Sequence, residues 1–145
     1  DKKREEKSMN TKYILAHDFG TSGDKASLFT TDGKFVGTRT TGYPSHTLPN
    51  GGVEQDPQDW WKAFCRSTKE LTRDIDVRDI LCVAFDGTYP NCLCVDADGN
   101  VLNNAYIWQD VRAVEECAEL EAMIPRELLL CNSGIFLRRF QSVET

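Results

Sequence analysis

Short apolar runs separated by turn residues open the chain and predict a β-meander. These runs have the length and the β-branched and aromatic content of strands. They occupy residues 13–19 (YILAHDF), 25–31 (KASLFTT) and 35–41 (FVGTRTT). Gly20 and Gly23 interrupt the pattern after the first run, and Asp32-Gly33 is a strong hairpin signal before the third. We therefore expect three strands joined by tight turns.

The segment 42–57 is rich in proline and glycine, which predicts a loop leading into a helix. Asp56 is a good N-cap residue, and Pro57 suits the first helical position. A mainly apolar stripe then recurs near helical spacing, and we expect it to cover the sheet, with both tryptophans in the core. The stripe consists of Trp60, Trp61, Phe64, Thr68 and Leu71.

The second half of the chain alternates strand and helix patterns. The apolar run 79–87 (DILCVAFDG) is typical of a strand buried on both faces, and Asp98-Gly99 lies between two apolar segments in a hairpin pattern. Helical periodicity follows from Asp110, a candidate N-cap. This order of elements favours a mixed α/β layered domain.

Length and charge narrow the class of protein. A chain of 145 residues with 40% hydrophobic content supports one domain with its own core. The formal charge of −6 argues against a broad nucleic-acid-binding or anionic-membrane surface. Because no apolar run approaches the ~20 residues that span a bilayer, we expect a cytoplasmic protein that neither crosses nor coats a membrane.

Six cysteines are present, without any C-x-x-C pair. Four of them lie in apolar strand-like or helix-like runs, so buried reduced thiols are favoured over disulfides or a metal site.

The segment HDFGTSGDK, residues 17–25, carries the candidate chemistry. A strand that ends in a carboxylate and runs into a glycine-rich turn lets backbone N–H groups approach phosphate oxygens. The hydroxyls of Thr21 and Ser22 can donate to the same oxygens, and Lys25 can neutralise charge that develops during transfer. Asp18 can hold Mg²⁺ through its waters. The alternative is a hairpin whose charged side chains merely face solvent.

Four blocks in a fixed order resemble the amino-terminal portion of the FGGY carbohydrate kinases, most closely the xylulokinase-like members. They are DFGTSGDKASLFTTDG, GGVEQDPQDWW, VAFDGTYPNCLCVDADGNVL and AYIWQDVRA, and the resemblance runs from about Tyr13 to about Ile124. It implies the ribonuclease-H-like, actin-like ATPase fold, in which two related domains close over a cleft that holds ATP and a sugar.

Matched position by position, the resemblance implies roles for the first turn. Asp18 and Lys25 would be catalytic, with Asp18 near Mg²⁺ and the phosphates and Lys25 as the basic partner. Gly20, Thr21, Ser22 and Gly23 would bind the ATP phosphates.

The sugar side departs from the family pattern. Many xylulokinase-like proteins have Gln-Met-His-Gly after the central strand, where this chain has Thr88-Tyr89-Pro90-Asn91. Tyr89 could stack on a sugar face, and Asn91 could bond a hydroxyl, so the sugar itself stays open between a pentulose and a related sugar or polyol. Asp110 and Arg112 match a block that lines the family's sugar cleft, with exposed helix-start charges as the alternative.

The family's chains are several times longer, and the general-base aspartate and the adenine-binding elements lie in their later segments. We therefore expect an inactive fragment: a charged disordered extension over 1–12, a partial kinase domain over 13–134 and an atypical tail over 135–145. A truncated or shifted reading frame would explain that tail, and a natural short variant is the alternative. We expect the full-length parent kinase to act on a sugar and ATP, either as a monomer or as a homodimer. Two other classes stay open, a non-catalytic interaction module and the nucleotide-binding domain of another actin-like ATPase.

Overall fold

The computed structural model describes residues 11–133, which form a four-stranded sheet, a small three-stranded sheet and flanking helices. The strands are β1 (Tyr13–Gly20), β2 (Gly23–Thr30), β3 (Phe35–Gly42), β4 (His46–Thr47), β5 (Val53–Gln55), β6 (Ile80–Gly87) and β7 (Ala105–Tyr106). The helices are α1 (Pro57–Leu71), α2 (Val114–Met123) and α3 (Arg126–Ser133), and a short 3-10 helix, Val77–Asp79, precedes β6. The predicted tail over 135–145, and all but the last two residues of the predicted extension, lie outside the described residues.

The predicted meander is confirmed. β1 pairs antiparallel with β2, and β2 pairs antiparallel with β3. β6 then lies parallel to β1, so the sheet order is β3-β2-β1-β6. A parallel neighbour requires a crossover connection, and the segment that contains α1 supplies it.

α1 begins as predicted. The Asp56 side chain accepts a hydrogen bond from the Gln58 N–H (2.8 Å), and Pro57 is the first helical residue. The helix packs mainly across β2 and β3, with a smaller contact to β1. Its buried residues are Ala63 and Ser67, whose small side chains let the helix approach the sheet closely.

The expected tryptophan core is wrong for Trp61, which is 61% exposed. The buried face of α1 is centred on Ala63 and Ser67, so Trp61 falls to one side and stacks on Phe64 with ring centroids 5.2 Å apart. Trp60 is half-buried, and its indole N–H donates to Gln55 Oε1 (2.9 Å).

β6 is a strand, but the expectation that both of its faces are buried is wrong. Leu81, Val83 and Phe85 are exposed, Phe85 by 64%. Within residues 11–133 the strand pairs only with β1, and α1 lies over the other end of the sheet. Burial of an apolar strand depends on what packs against it, which the run of apolar residues does not encode.

The structure confirms the turn at Asp98-Gly99 but not long flanking strands. Gly99 has a φ of +84°, and only an isolated bridge between Val95 and Val101 follows the hairpin pattern. The predicted helix begins later than expected, at Val114 rather than just after Asp110. Asp110 is not its N-cap, because the Asp110 carboxylate accepts hydrogen bonds from Val53 and Arg112 instead.

The thiols are free, as expected, but the expectation that they are buried is wrong. Cys82, Cys92, Cys94 and Cys131 are exposed, and Cys65 and Cys117 are half-buried. Between residues 11 and 133, no helix combines the length and the apolar character needed to cross a membrane.

Candidate functional site

Three charged side chains form a row across the sheet, on the face opposite α1. Asp18 is the direct partner of Lys25 in the β1–β2 pairing and of Asp86 in the β1–β6 pairing. Directly opposite residues project to the same face of a sheet, so the three lie side by side in the order Asp86, Asp18, Lys25. The predicted association of Asp18 with Lys25 is therefore present, and Asp86 joins them.

All three side chains are open to solvent. Among the described residues, neither Lys25 nor Asp18 takes part in an ion pair or a side-chain hydrogen bond. Asp86 accepts a hydrogen bond from the Gly87 N–H (2.8 Å) with one oxygen. The row therefore offers two carboxylates and one ammonium group to a ligand.

The first turn, residues 20–23, lies beside this row, at the end of β1, and is held through its carbonyl groups. The Tyr43 hydroxyl donates to Gly20 O (2.5 Å), and the Tyr43 N–H donates to Ser22 O (3.3 Å). Gln55 Nε2 donates to Thr21 O (2.7 Å). Each carbonyl from 20 to 22 thus has a partner that lies outside the turn.

This arrangement leaves backbone N–H groups available. A trans peptide unit directs its C=O and N–H in opposite directions. The carbonyls of Gly20 and Thr21 point towards Tyr43 and Gln55, so the N–H groups of Thr21 and Ser22 point away from them. Within the described part of the chain, neither N–H has a hydrogen-bond partner. Successive backbone N–H groups in a turn are a known means of binding anions.

The glycines of the first turn serve a different purpose from the one expected. Neither Gly20 nor Gly23 has a positive φ. A Cβ on Gly23 would lie 2.7 Å from Thr41 O and 3.0 Å from the Gly42 Cα, both backbone atoms of β3. Gly23 is therefore required because β2 and β3 approach closely here.

Hydrogen bonds connect the first turn to the segment predicted to bind sugar. The Trp108 indole N–H donates to Thr21 Oγ1 (3.0 Å), and the Trp108 backbone N–H donates to Asn91 Oδ1 (3.3 Å). Asn91 Nδ2 in turn donates to Thr88 Oγ1 (3.0 Å), and the Thr88 N–H donates to Phe19 O (2.9 Å). The carboxyl ends of β1 and β6 are thereby tied together, which is where α/β sheets commonly bind ligands.

The residues predicted to bind sugar divide into exposed and internally bonded groups. Tyr89 is 73% exposed and available to a ligand. Asn91 uses its amide within the protein, and Thr88 is half-buried beside it. Of the residues predicted to bind sugar in this segment, Tyr89 is thus exposed, and Asn91 is hydrogen-bonded within the protein.

Asp110 and Arg112 lie in a separate cluster with Glu54. Arg112 donates to both carboxylates (2.6 and 2.8 Å), and its guanidinium carbon lies 4.4 Å from the centre of the Tyr106 ring. Burial alone would raise the pKa of Asp110, but hydrogen bonds from Arg112 and the Val53 N–H lower it below its usual value. Hydrogen bonds to Asp110 raise the pKa of Arg112. The cluster pairs one guanidinium with two carboxylates, and it makes no direct contact with the first turn among the described hydrogen bonds and ion pairs.

The model of the FGGY family of carbohydrate kinases, N-terminal domain, matches residues 13–145. The chain belongs to this family. Xylulose kinase of Escherichia coli (strain K12) is 34% identical over 119 residues, which cover 80% of this chain and 24% of that protein. Glycerol kinase of Rhodospirillum centenum (strain ATCC 51521 / SW) is 28% identical over 127 residues, or 86% of this chain and 26% of that protein. The FGGY chain described here thus spans about a quarter of the length of these relatives.

Solved structures agree with the family and the fold. The crystal structure of gluconate kinase from Lactobacillus acidophilus superposes with a TM-score of 0.78 at 25% identity, over 86% of this chain and 25% of that chain. The predicted fold class is therefore confirmed: a mixed α/β sheet of the actin-like ATPase type that begins with a meander and is represented here in part.

Sequence reasoning missed four residues that build the site: Tyr43, Gln55, Asp86 and Trp108. Asp86 had a detectable signal, since VAFDG repeats the pattern of a strand followed by aspartate and glycine seen in β1. Trp108 had none, because it reaches Thr21 across a sequence separation of 87 residues.

Proposed function

We propose that this chain provides the phosphate-binding face of a kinase that transfers the γ-phosphoryl group of ATP to a hydroxyl of a pentulose or a related sugar or polyol. The observation that carries the proposal is the row of Asp86, Asp18 and Lys25 beside two free N–H groups. In the second turn of the meander, by contrast, Lys34 and Asp32 pair with each other (2.6 Å).

The described residues suit Mg²⁺ and a triphosphate. Mg²⁺ retains several waters and binds through one or two carboxylates together with substrate phosphates. Asp18 and Asp86 supply two neighbouring oxygen donors of this kind.

The chemistry of each group follows from its position. The N–H groups of Thr21 and Ser22 donate to phosphate oxygens, and Lys25 stabilises negative charge on the transferred group. Asp18 and Asp86 would hold the hydrated cation, which would supply positive charge to offset that of the phosphates. Tyr89 offers an aromatic face to the acceptor. The relatives are named xylulose and glycerol kinases, so a sugar or polyol hydroxyl is the acceptor we propose.

Calorimetric titration of the 145-residue chain with Mg²⁺–tripolyphosphate tests the phosphate site. We expect binding by the wild-type chain and roughly tenfold weaker binding for both Lys25→Met and Asp18→Asn, equivalent to about 1.4 kcal/mol for each. Trp108 provides a second readout, because its indole contacts the turn and its fluorescence should change on binding.

The second turn of the meander, residues 31–34, supplies matched controls. Lys34→Met and Asp32→Asn remove the same charges from the other hairpin of the meander, at a distance from the row, and binding should be unchanged. If both sets of variants weakened the binding of Mg²⁺–tripolyphosphate equally, the effect would come from net charge alone and not from the row. No binding by the wild-type chain would favour the non-catalytic interaction module.

A further inference from the structure

We infer that the buried pair of His17 and Asp24 is a positioning element, which holds β1 and β2 in the arrangement that presents Asp18 and Lys25 to a ligand. The inference rests on the proposed function, because the row is taken as the phosphate site. His17 and Asp24 immediately precede Asp18 and Lys25 in the chain, but they lie on the opposite face of the sheet, beneath α1.

The pair is fully enclosed. His17 is 2% exposed and Asp24 is 0% exposed. His17 Nδ1 lies 3.0 Å from each carboxylate oxygen of Asp24. An ionised carboxylate only accepts hydrogen bonds, so the tautomer with the proton on Nδ1 lets His17 donate a hydrogen bond to Asp24. The Phe64 ring packs against the imidazole with centroids 4.5 Å apart, so water does not compete for the bond.

α1 completes the network at both ends. Ser67 Oγ donates to Asp24 Oδ2, and Thr68 Oγ1 lies 3.2 Å from His17 Nε2. Throughout the described residues, no buried side-chain polar atom lacks a partner. One helix and two strands are thus joined by directional bonds at a single point.

The position of this point along the hairpin matters. Asp24 is the direct partner of Phe19, and only the Gly20–Gly23 pair lies between it and the turn. Successive side chains of a strand share a backbone and project to opposite faces. A rotation or slide of β1 at His17 therefore moves Asp18, and a shift of β2 at Asp24 moves Lys25.

Apolar residues at these two positions would fill the space but would not fix the geometry. Hydrophobic contact is non-directional, whereas a satisfied buried network rigidifies its surroundings. A buried ion pair is also weak evidence for stability, since apolar replacement of both partners is often neutral or stabilising. The retention of a costly polar pair directly behind the charged row is what points to positioning.

The experiment separates folding from positioning with a double variant of the full chain. His17→Leu and Asp24→Leu should each lower the thermal midpoint, because each leaves one buried polar partner unpaired. The double variant should recover a midpoint near wild type. We nevertheless expect its amide hydrogen exchange at residues 18–20 and 23–25 to be at least tenfold faster, and its Kd for Mg²⁺–tripolyphosphate to be about tenfold weaker.

Two further variants complete the test. Asp24→Asn keeps an oxygen that accepts from His17 and adds an amide that can donate to Ser67 Oγ, so exchange and affinity should return close to wild type. Ser27→Ala is the matched control, since it removes an exposed contact from β2 to Thr38 on β3 (3.2 Å) without touching the network. Ser27→Ala should change neither measurement.

The outcomes are distinguishable. A double variant with wild-type exchange rates at residues 18–20 and 23–25 would overturn the positioning role, whatever the ligand result. Failure of the wild-type chain to bind Mg²⁺–tripolyphosphate would instead remove the proposed function, and the exchange comparison would still decide whether the pair orders the turn. Faster exchange in the double variant, with rescue by Asp24→Asn, supports the inference.

Discussion

The two turns of the meander, taken with their flanking residues, both contain aspartate, glycine and lysine, but they differ in what surrounds them. The second turn, residues 31–34, holds an aspartate, a glycine and a lysine that pair with one another: Lys34 Nζ lies 2.6 Å from Asp32 Oδ2. Asp32 accepts hydrogen bonds from the side chains of Lys34 and Thr30, and these bonds, mainly the one from Lys34, lower the pKa of Asp32. In the first turn and its flanks, Asp18 and Lys25 are not ion-paired within the described residues, and the rest of the fold holds the backbone instead.

The difference shows that composition alone does not make a site. A local ion pair satisfies both charges of the second turn and leaves nothing for a ligand. At the first turn, Tyr43 and Gln55 engage the carbonyl groups and leave N–H groups and charges open. The chemistry of HDFGTSGDK therefore depends on residues far outside it.

The glycines provide the largest expected difference between the turns. Gly23→Ala would place a Cβ 2.7 Å from a backbone oxygen of β3, so the strands must separate. We expect a loss of about 2–3 kcal/mol in the free energy of unfolding. Gly33 has a φ of +86° and open space around it, so Gly33→Ala should cost only about 1 kcal/mol of conformational strain.

Urea unfolding of both variants beside the wild-type chain measures the two losses. A larger loss for Gly33→Ala would show that backbone conformation, rather than the close approach of β2 and β3, sets the demand for glycine in this hairpin.

The sequence predicted those parts of the fold that are determined by residues close together in the chain. Both hairpins of the meander and the start of α1 follow from turn glycines, from Asp32 and from the Asp56-Pro57 cap. The exposure of Phe85 on β6 was not predictable, because burial of a strand depends on neighbours that the apolar pattern does not specify. The exposure of Trp61 has the same origin, since the helix turns its small residues towards the sheet.

The candidate site was predictable only along β1 and β2. Asp18 and Lys25 lie on one hairpin, so their proximity follows from the turn. Asp86 joins them through the parallel register of β1 and β6, which requires knowing that the crossover returns beside β1. Asp110 was wrongly predicted as a helix N-cap because its carboxylate accepts a hydrogen bond from the Val53 N–H, 57 residues earlier in the chain.

Removing the hydrogen bonds by which Gln55 supports the first turn should lower the free energy of unfolding by less than Gly23→Ala does. Gln55 is buried, and its amide donates to Thr21 O and Ser45 Oγ while accepting from Trp60. Gln55→Leu leaves these partners unsatisfied, so we expect a loss of about 1–2 kcal/mol. Hydrogen exchange should accelerate at residues 18–25 and stay unchanged at residues 29–35.

Lys34→Met is the control for this comparison, since its exposed ion pair lies at the second turn and should not affect exchange at residues 18–25. Acceleration of both regions by Gln55→Leu would mean that the hairpins unfold as one unit and that Gln55 has no special link to the first turn.

The smallest expected effect concerns Tyr43 and appears only at alkaline pH. Burial, and then the negative charges of Asp24 and Asp18, raise the pKa of Tyr43 to about 12. An unfolded tyrosine loses its proton near pH 10, so the folded chain holds this proton more tightly. The associated stability is complete below about pH 10 and is lost as the pH rises through about 12.

Tyr43→Phe separates this contribution from the hydrogen bond to Gly20. At pH 7 the variant should be less stable by about 1 kcal/mol, because Gly20 O loses its donor. Above pH 10 the wild-type chain loses stability through Tyr43 and the variant does not, so the gap between their urea midpoints should narrow.

Tyrosinate absorbance at 295 nm checks the assignment: the wild-type chain should show a late-titrating phenol that is absent from Tyr43→Phe. A constant gap from pH 7 to 11 would mean that burial and the nearby carboxylates do not raise the pKa of Tyr43 in the folded chain.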